Sequence, residues 1–161
     1  MSSINITTLP RMTRETLSSL LSSDNPSSPN NLAIIDVRDS DHIGGHIRTS
    51  TWIPSSNLDI RMPELLRTLQ NTPVVVFHCA LSQQRGPSAA LRYIRERERA
   101  RLLLAAGEGE SETEAEGEEG KKQKKEQEIY VLDGGFVKWQ EKFGDDEKLT
   151  EAYVRDIWLD Y

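Results

Sequence analysis

The sequence predicts an α/β fold, a central and mostly parallel sheet flanked by helices on both faces. Three short apolar runs, 32–37 (LAIIDV), 73–77 (PVVVF) and 128–132 (EIYVL), each have the length and composition of a strand covered on both sides. Stretches of helical character lie between them, and strands that alternate with helices pack as parallel neighbours joined by crossovers. At 161 residues the chain has the size of one ordinary domain, and residues 10–161 are read as that domain.

Taken in order, Thr13 is placed to cap a short helix whose Leu17, Leu20 and Leu21 recur at helical spacing. The Ser-, Asn- and Pro-rich residues 22–31 form a loop. Strand 32–37 runs into the loop His42-Ile43-Gly44-Gly45-His46-Ile47, and a second strand-like piece covers 51–54. Pro63 suits the first turn of a helix over 62–70, with Leu65, Leu66 and Leu69 on one face. Run 73–77 is the most β-branched of the chain, which places it at the centre of the sheet. From Pro87 a long helix continues without a breaker into Leu102, Leu103 and Leu104. After 128–132, Asp133-Gly134-Gly135 turns into a helix over 136–143, with Trp139 in the core. Thr150 is placed to cap a last helix carrying Tyr153, Val154, Ile157 and Trp158 along one side.

Composition narrows the function. The net charge of -6 and a pI near 5.2 lack the basic footprint of a general nucleic-acid binder. Much of the acidity sits in GEGESETEAEGEEG at 107–120, which is followed at once by KKQKK. Residues 107–127 therefore read as an insertion too polar to offset its own ordering entropy. No run approaches the roughly 20 apolar residues of a membrane span. The N-terminus has neither a basic segment nor an apolar stretch of the kind that directs export. A single cysteine excludes an internal disulfide framework and multi-cysteine metal sites, so no metal is expected and the setting is a reducing one, cytoplasmic or nuclear.

That cysteine ends the central strand. In His78-Cys79-Ala80-Leu81-Ser82-Gln83-Gln84-Arg85-Gly86-Pro87, the loop after Cys79 can turn successive backbone N–H groups inward as an anion-binding nest. The next helix aims its N-terminus at the same point. Arg85 offers a guanidinium fork suited to a tetrahedral oxyanion. The same field favours the thiolate, which would make Cys79 a nucleophile; the alternative is a small buried hydrophobe at a strand end. His78 is expected to steady the loop rather than transfer protons, because alternation along the strand points it away from Cys79. Ser82 either donates to the thiolate or holds the shape of the loop.

The string 78–87 resembles the active-site loop of rhodanese-fold phosphatases related to the cell-division-cycle M-phase inducers. It is especially similar to the small fungal and plant members described as dual-specificity phosphatases or arsenate reductases. Ile35-Asp36-Val37-Arg38-Asp39 with Gly44-Gly45-His46-Ile47 resembles the N-terminal rhodanese signature, and 131–139 (VLDGGFVKW) the C-terminal one. The resemblance spans roughly residues 10–145. It implies a rhodanese-like fold, with Cys79 and Arg85 catalytic, Ala80, Leu81, Ser82, Gln83 and Gln84 completing the oxyanion-binding loop, and His78, Gly86, Asp36, Arg38 and His46 in support.

Sulfurtransferases of this fold are understood to use a loop one residue shorter, so the seven residues from Cys79 to Arg85 point to phosphate or arsenate. The substrate is then a phosphorylated protein or a small oxyanion. The large cell-cycle relatives carry acidic residues within the loop, where this chain has Ala80 and Gln84, so no loop carboxylate can protonate a leaving group. Arsenate reduction stays open beside phosphatase activity. It needs no resident cofactor but requires external glutathione and glutaredoxin, since no second cysteine can resolve the adduct. A sulfurtransferase, or a catalytically idle module that binds a partner through its acidic insertion, completes the alternatives.

Overall fold

The computed structural model describes residues 4–23, 31–107 and 126–159. In chain order its elements are β1 (Arg11–Met12), α1 (Arg14–Ser22), β2 (Leu32–Asp36), β3 (His46–Ile47), β4 (Thr51–Trp52) and a 3-10 turn (Ser55–Asn57). Then come α2 (Leu58–Thr68), β5 (Val74–His78), α3 (Arg85–Gly107), β6 (Glu128–Leu132), α4 (Gly135–Phe143), β7 (Thr150–Glu151) and α5 (Arg155–Trp158). Five strands form one parallel sheet in the order β1-β6-β5-β2-β4, and β3 pairs with β7 in a separate antiparallel ribbon.

Alternation along the strands divides the core into two layers. Ile35, Val75, Phe77, Ile129 and Val131 pack with Leu58, Met62 and Leu65 of α2 and with Ala89, Ala90 and Tyr93 of α3. On the other face, Ile34, Val76 and Leu132 pack with Leu17 and Leu21 of α1 and with Phe136 and Trp139 of α4. The β-branched run is central as expected, and β5 lies between β6 and β2 with Phe77 opposite both Ile35 and Val131. Thr13 caps α1, its side chain accepting from the Thr16 amide.

Several expectations need correction. The helix placed over 62–70 begins at Leu58, and Pro63 lies inside it; Pro63 and Asp59 are both exposed, so the carbonyl that proline cannot serve faces water. The long helix begins at Arg85 rather than Pro87. Thr150 caps no helix: it sits in β7, where its hydroxyl accepts from Trp139 Nε1 and donates to the Phe143 carbonyl. The last helix is only Arg155–Trp158. Strands β1, β3 and β7, two residues each, were too short to leave a periodic signal.

Both ends of the expected 107–127 insertion belong to described structure, while 108–125 lie outside the described residues. Gly107 is in α3. Gln127 Nε2 donates to the carbonyls of Leu69 and Thr72 at 2.7 Å each, and its Oε1 accepts from the Tyr93 hydroxyl at 2.9 Å. Among the described residues no helix is long and apolar enough to cross a membrane.

Gln127 ties the turn before β5 to α3, and Gln127→Ala removes three hydrogen bonds at a partly buried position. The expected loss is about 1–3 kcal/mol in urea unfolding; an unchanged midpoint would show that water replaces the amide.

Candidate active site

The loop that follows β5 crosses the carboxyl end of the sheet, where ligands bind in parallel α/β folds. Cys79, 3% exposed, stands at its start. Its Sγ accepts the backbone N–H of Ser82 at 3.2 Å and of Gly86 at 3.3 Å. Gly86 lies in the first turn of α3, whose N–H groups have no acceptor within the helix, so the positive end of that helix rests on the sulfur. A side chain at Gly86 would come within 3.2 Å of the His78 Cα and 3.3 Å of the Cys79 nitrogen. Ser82 makes the reversal with φ at +58°. Its hydroxyl accepts from the Cys79 amide at 3.4 Å, which favours the shape-holding role over donation to sulfur.

What turns the loop is the start of α4. Phe136 N–H donates to the Cys79 carbonyl at 3.0 Å and Val137 N–H to the Ala80 carbonyl at 2.9 Å. Gly134 and Gly135, with φ of +81° and +63°, bring that helix end against the loop. His78 Nδ1 lies 3.0 Å from the same Cys79 carbonyl. A carbonyl only accepts, so the ring carries its proton on Nδ1. From the far edge Arg11 Nη1 donates to the Ser82 carbonyl at 3.2 Å. Ala80 is buried, whereas Leu81, Gln83 and Gln84 are exposed along the outer rim.

Arg85 closes the loop, but its fork is occupied. Nη1 and Nη2 donate to the two carboxylate oxygens of Asp41 at 2.8 and 2.6 Å, and Nη1 lies 3.2 Å from Asp39 Oδ2. Asp39 is itself held by the Ser55 hydroxyl at 2.6 Å and the Ser56 amide at 3.1 Å. The hydrogen bonds from Arg85, outweighing partial burial, hold the Asp41 carboxyl at about 2. Burial pushes Asp39 up, yet its bonds to Ser55, Ser56 and Arg85 leave it below the ordinary carboxylate value. The guanidinium is raised by Asp41 first, with burial opposing, and the Cys79 sulfur also contributes to the rise.

Beneath the loop lies a sealed polar cluster. Arg38 and Asp36 are fully buried and paired in bidentate fashion through the Nε–Nη2 edge of the guanidinium, with Nη2 to Oδ2 at 2.7 Å and Nε to Oδ1 at 3.0 Å. Arg38 also donates to the Gly45 carbonyl at 2.9 Å and lies 4.3 Å over the Phe136 ring. Burial raises the Asp36 carboxyl, but the hydrogen bonds and the charge of Arg38 outweigh it and the carboxyl sits low. Burial also holds His78 below its ordinary value against the pull of Asp36. The imidazole is therefore neutral at pH 7, and Arg38 is the standing counter-charge of Asp36. His78 Nε2, 3.8 Å from Asp36, is buried with no hydrogen-bond partner among the described residues. His46 stands apart, pairing with Glu151 at 3.1 Å across the β3–β7 ribbon.

Of the residues singled out in the sequence, the structure gathers Cys79, Ser82, Arg85 and Gly86 at one cradle, with Asp36, Arg38 and His78 supporting it from below. Asp39, read only as the end of the N-terminal signature, and Asp41, which no local pattern marks, were not among the expected site residues. The signal was topological: β2 and β5 are neighbours, so the loops beyond their carboxyl ends must meet. Chemically, the arrangement offers a sulfur nucleophile, inward backbone donors and one cation, the parts needed to hold a tetrahedral anion on sulfur.

The chain matches the family model described as a rhodanese-like domain over residues 13–142. It is 35% identical over 136 residues to the CDC25-like phosphatase YCH1 of Saccharomyces cerevisiae, covering 78% of this chain and 76% of that protein. Among solved structures it is similar to yeast Ygr203w, a protein tyrosine phosphatase of the rhodanese family, with a TM-score of 0.70 and 30% identity, over 98% of this chain and 99% of that one. It is also similar to the As-Sb reductase of Leishmania major, with a TM-score of 0.61 and 29% identity, over 86% and 81% of the two chains.

The two glycines of the α4 start separate strain from damage to the loop. A Cβ on Gly135 would lie 2.3 Å from the Ala80 carbonyl oxygen, whereas one on Gly134 would lie 2.3 Å from Cγ and 2.6 Å from Cβ of Lys138, within α4 itself. Gly134→Ala is expected to cost at least about 1–2 kcal/mol of stability with the amide resonances of Ser82 and Gly86 unmoved. Gly135→Ala should shift those resonances as well as lower the melting temperature; unshifted resonances would show that α4 does not shape the cradle.

Proposed function

The chain belongs to the rhodanese-like domain family, and from that premise we propose that it is a cysteine-dependent phosphatase of the tyrosine or dual-specificity type. The observation that carries the reading is the cradle itself: the Cys79 Sγ receives two backbone N–H groups while Arg85 ends the same seven-residue loop. The yeast relatives named as phosphatases support it.

In this reading the Cys79 thiolate attacks phosphorus in line and the ester oxygen leaves. The loop amides and Arg85 bind the equatorial oxygens, and water then hydrolyses the thiophosphate to inorganic phosphate and free thiolate. Fixed donors aimed at the developing charge supply most of the rate enhancement. His78, neutral and bound to the Cys79 carbonyl, orients the loop and carries no proton in the cycle. The substrate is a phosphorylated protein or a small aryl phosphate, encountered in the cytoplasm or nucleus, where a lone thiol stays reduced.

A second reading is favoured by one observation. The carboxylates bonded to Arg85, Asp39 and Asp41, are held in their ionised forms by Arg85 and the Ser55–Ser56 turn, so neither can protonate a leaving oxygen at neutral pH. Arsenate, whose exchange is easier, needs less such help. It would condense with the Cys79 thiol by loss of water; glutathione would then attack the Cys79 sulfur, arsenite leaving as As(III) with the S–As bonding pair while the two thiols become a Cys79–glutathione disulfide, which glutaredoxin would reduce. The likeness to the As-Sb reductase supports this alternative.

Two assays on one preparation separate the readings: hydrolysis of an aryl phosphate, and arsenate reduction with glutathione and glutaredoxin. Cys79→Ser is expected to abolish the operative activity in a folded chain, and Arg85→Ala to lower it by about 10²-fold or more; unimpaired turnover in either variant refutes the mechanism. Every residue assigned to the site lies outside 108–125. Replacing that segment by a short linker should therefore leave the assayed rate unchanged, and a large loss would place it in the working domain.

A further inference from the structure

We propose that Asp41, assisted by Asp39, is an internal anion that competes with the oxyanion for the Nη1–Nη2 edge of Arg85, so that bidentate binding through that edge requires Arg85 to leave its carboxylate partners. The inference rests on the reading of the cradle as an oxyanion site. It adds a specificity-determining residue outside the Cys79–Arg85 loop.

Of the two donor edges of a guanidinium, the terminal Nη1–Nη2 edge of Arg85 is taken by Asp41, at 2.8 and 2.6 Å. With Asp39 also 3.2 Å away, two negative charges surround one positive charge, and the clamp carries a net charge of about -1. An approaching dianion meets this surplus before it meets a free cation.

The carboxylates are fixed while the arginine is mobile. Asp39 is pinned by Ser55 and Ser56, and Asp41 Oδ1 accepts the Asp39 amide at 2.9 Å. The far end of the same loop is anchored where the Gly45 carbonyl accepts from buried Arg38 and the Gly44 carbonyl accepts from Trp158 Nε1. Arg85 has only its own flexible side chain between the guanidinium and the first residue of α3, and that side chain is 35% exposed. Release is therefore a side-chain swing from Asp41 toward the cradle, with no loop opening required.

Such a clamp lowers apparent affinity by the fraction of molecules in which Arg85 is free. It discriminates as well: an anion able to engage both guanidinium nitrogens and the loop amides displaces Asp41, whereas a monodentate or weakly charged anion does not. The site is thereby protected from abundant small anions such as chloride and carboxylates.

Tungstate, a redox-inert tetrahedral dianion, provides the test by calorimetric titration of the full chain at fixed salt. Asp41→Asn keeps the oxygen that accepts the Asp39 amide but loses the charge, and it is expected to bind tungstate about five- to tenfold more tightly, the worth of a half-exposed ion pair. Asp39→Asn should tighten binding less. Arg85→Ala should weaken it, and in that background Asp41→Asn should have no further effect, because the competition has lost its object. Unchanged or weaker binding by Asp41→Asn would mean that Asp41 positions Arg85 and would overturn the proposal. Equal tightening with and without Arg85 would also overturn it, since that result is a plain field effect. If Arg85→Ala binds as the parent does, the oxyanion reading of the cradle fails, and the clamp fails with it.

Discussion

Two carbonyls determine the rest of the site. A trans peptide carries its C=O and the following N–H on opposite sides. When the α4 start takes the carbonyls of Cys79 and Ala80 to one side, the amides of Ala80 and Leu81 must face the other. Ser82 and Gly86, farther along the same loop, direct their N–H groups at the Cys79 sulfur. The nest is thus an outcome of where the carbonyls are held. The Gly134-Gly135 turn exists at its unusual backbone angles because only there can a helix end come so close to the loop.

The buried Arg38 links this arrangement to the opposite wall. It pairs with Asp36 at the end of β2, holds the Gly45 carbonyl of the loop that carries Asp39 and Asp41, and stacks on Phe136, whose amide turns the Cys79 carbonyl. One cation therefore fixes the distance between the carboxylate loop and the nucleophile loop. A buried pair of this kind gains little net stability after desolvation, but losing one partner leaves an uncompensated charge inside the protein at a cost of about 3–5 kcal/mol. Its contribution is positional. The sequence places Asp36 and Arg38 in support of the loop, and in the structure they lie beneath it, paired with each other.

Much of the fold was legible because its signals are local. Val74, Val75 and Val76 announced the central strand, Thr13 the start of α1, and Gly134-Gly135 the turn into α4. The thiol, its arginine and the glycine between loop and helix were legible for the same reason: seven consecutive residues build most of the cradle. What failed lacked a local mark. Strands β1, β3 and β7 exist only through their partners, and Thr150 is polar for the sake of Trp139 and not of a helix end. Gln127, at the edge of a charged tract, was assigned to the insertion although it bonds to Leu69, Thr72 and Tyr93. Asp39 and Asp41 became site residues only when the strand order brought β2 beside β5.

The charge state around the cradle carries a chemical consequence for the proposed reaction. Expelling an alkoxide from phosphorus requires a proton, and a carboxylic acid can deliver it at neutral pH only if its environment raises its pKa. Here the environment does the reverse: Arg85 stabilises the ionised form of Asp41, and Ser55, Ser56 and Arg85 that of Asp39. Moving Arg85 toward a bound oxyanion would partly relieve Asp41 of its counter-charge while placing a second negative charge beside it, and both changes favour protonation. Any acid function for Asp41 would thus arise only after the substrate had taken Arg85. In the free site, the geometry favours leaving groups that depart as anions, aryl oxides among phosphate esters, over the alkoxides of phosphoserine and phosphothreonine.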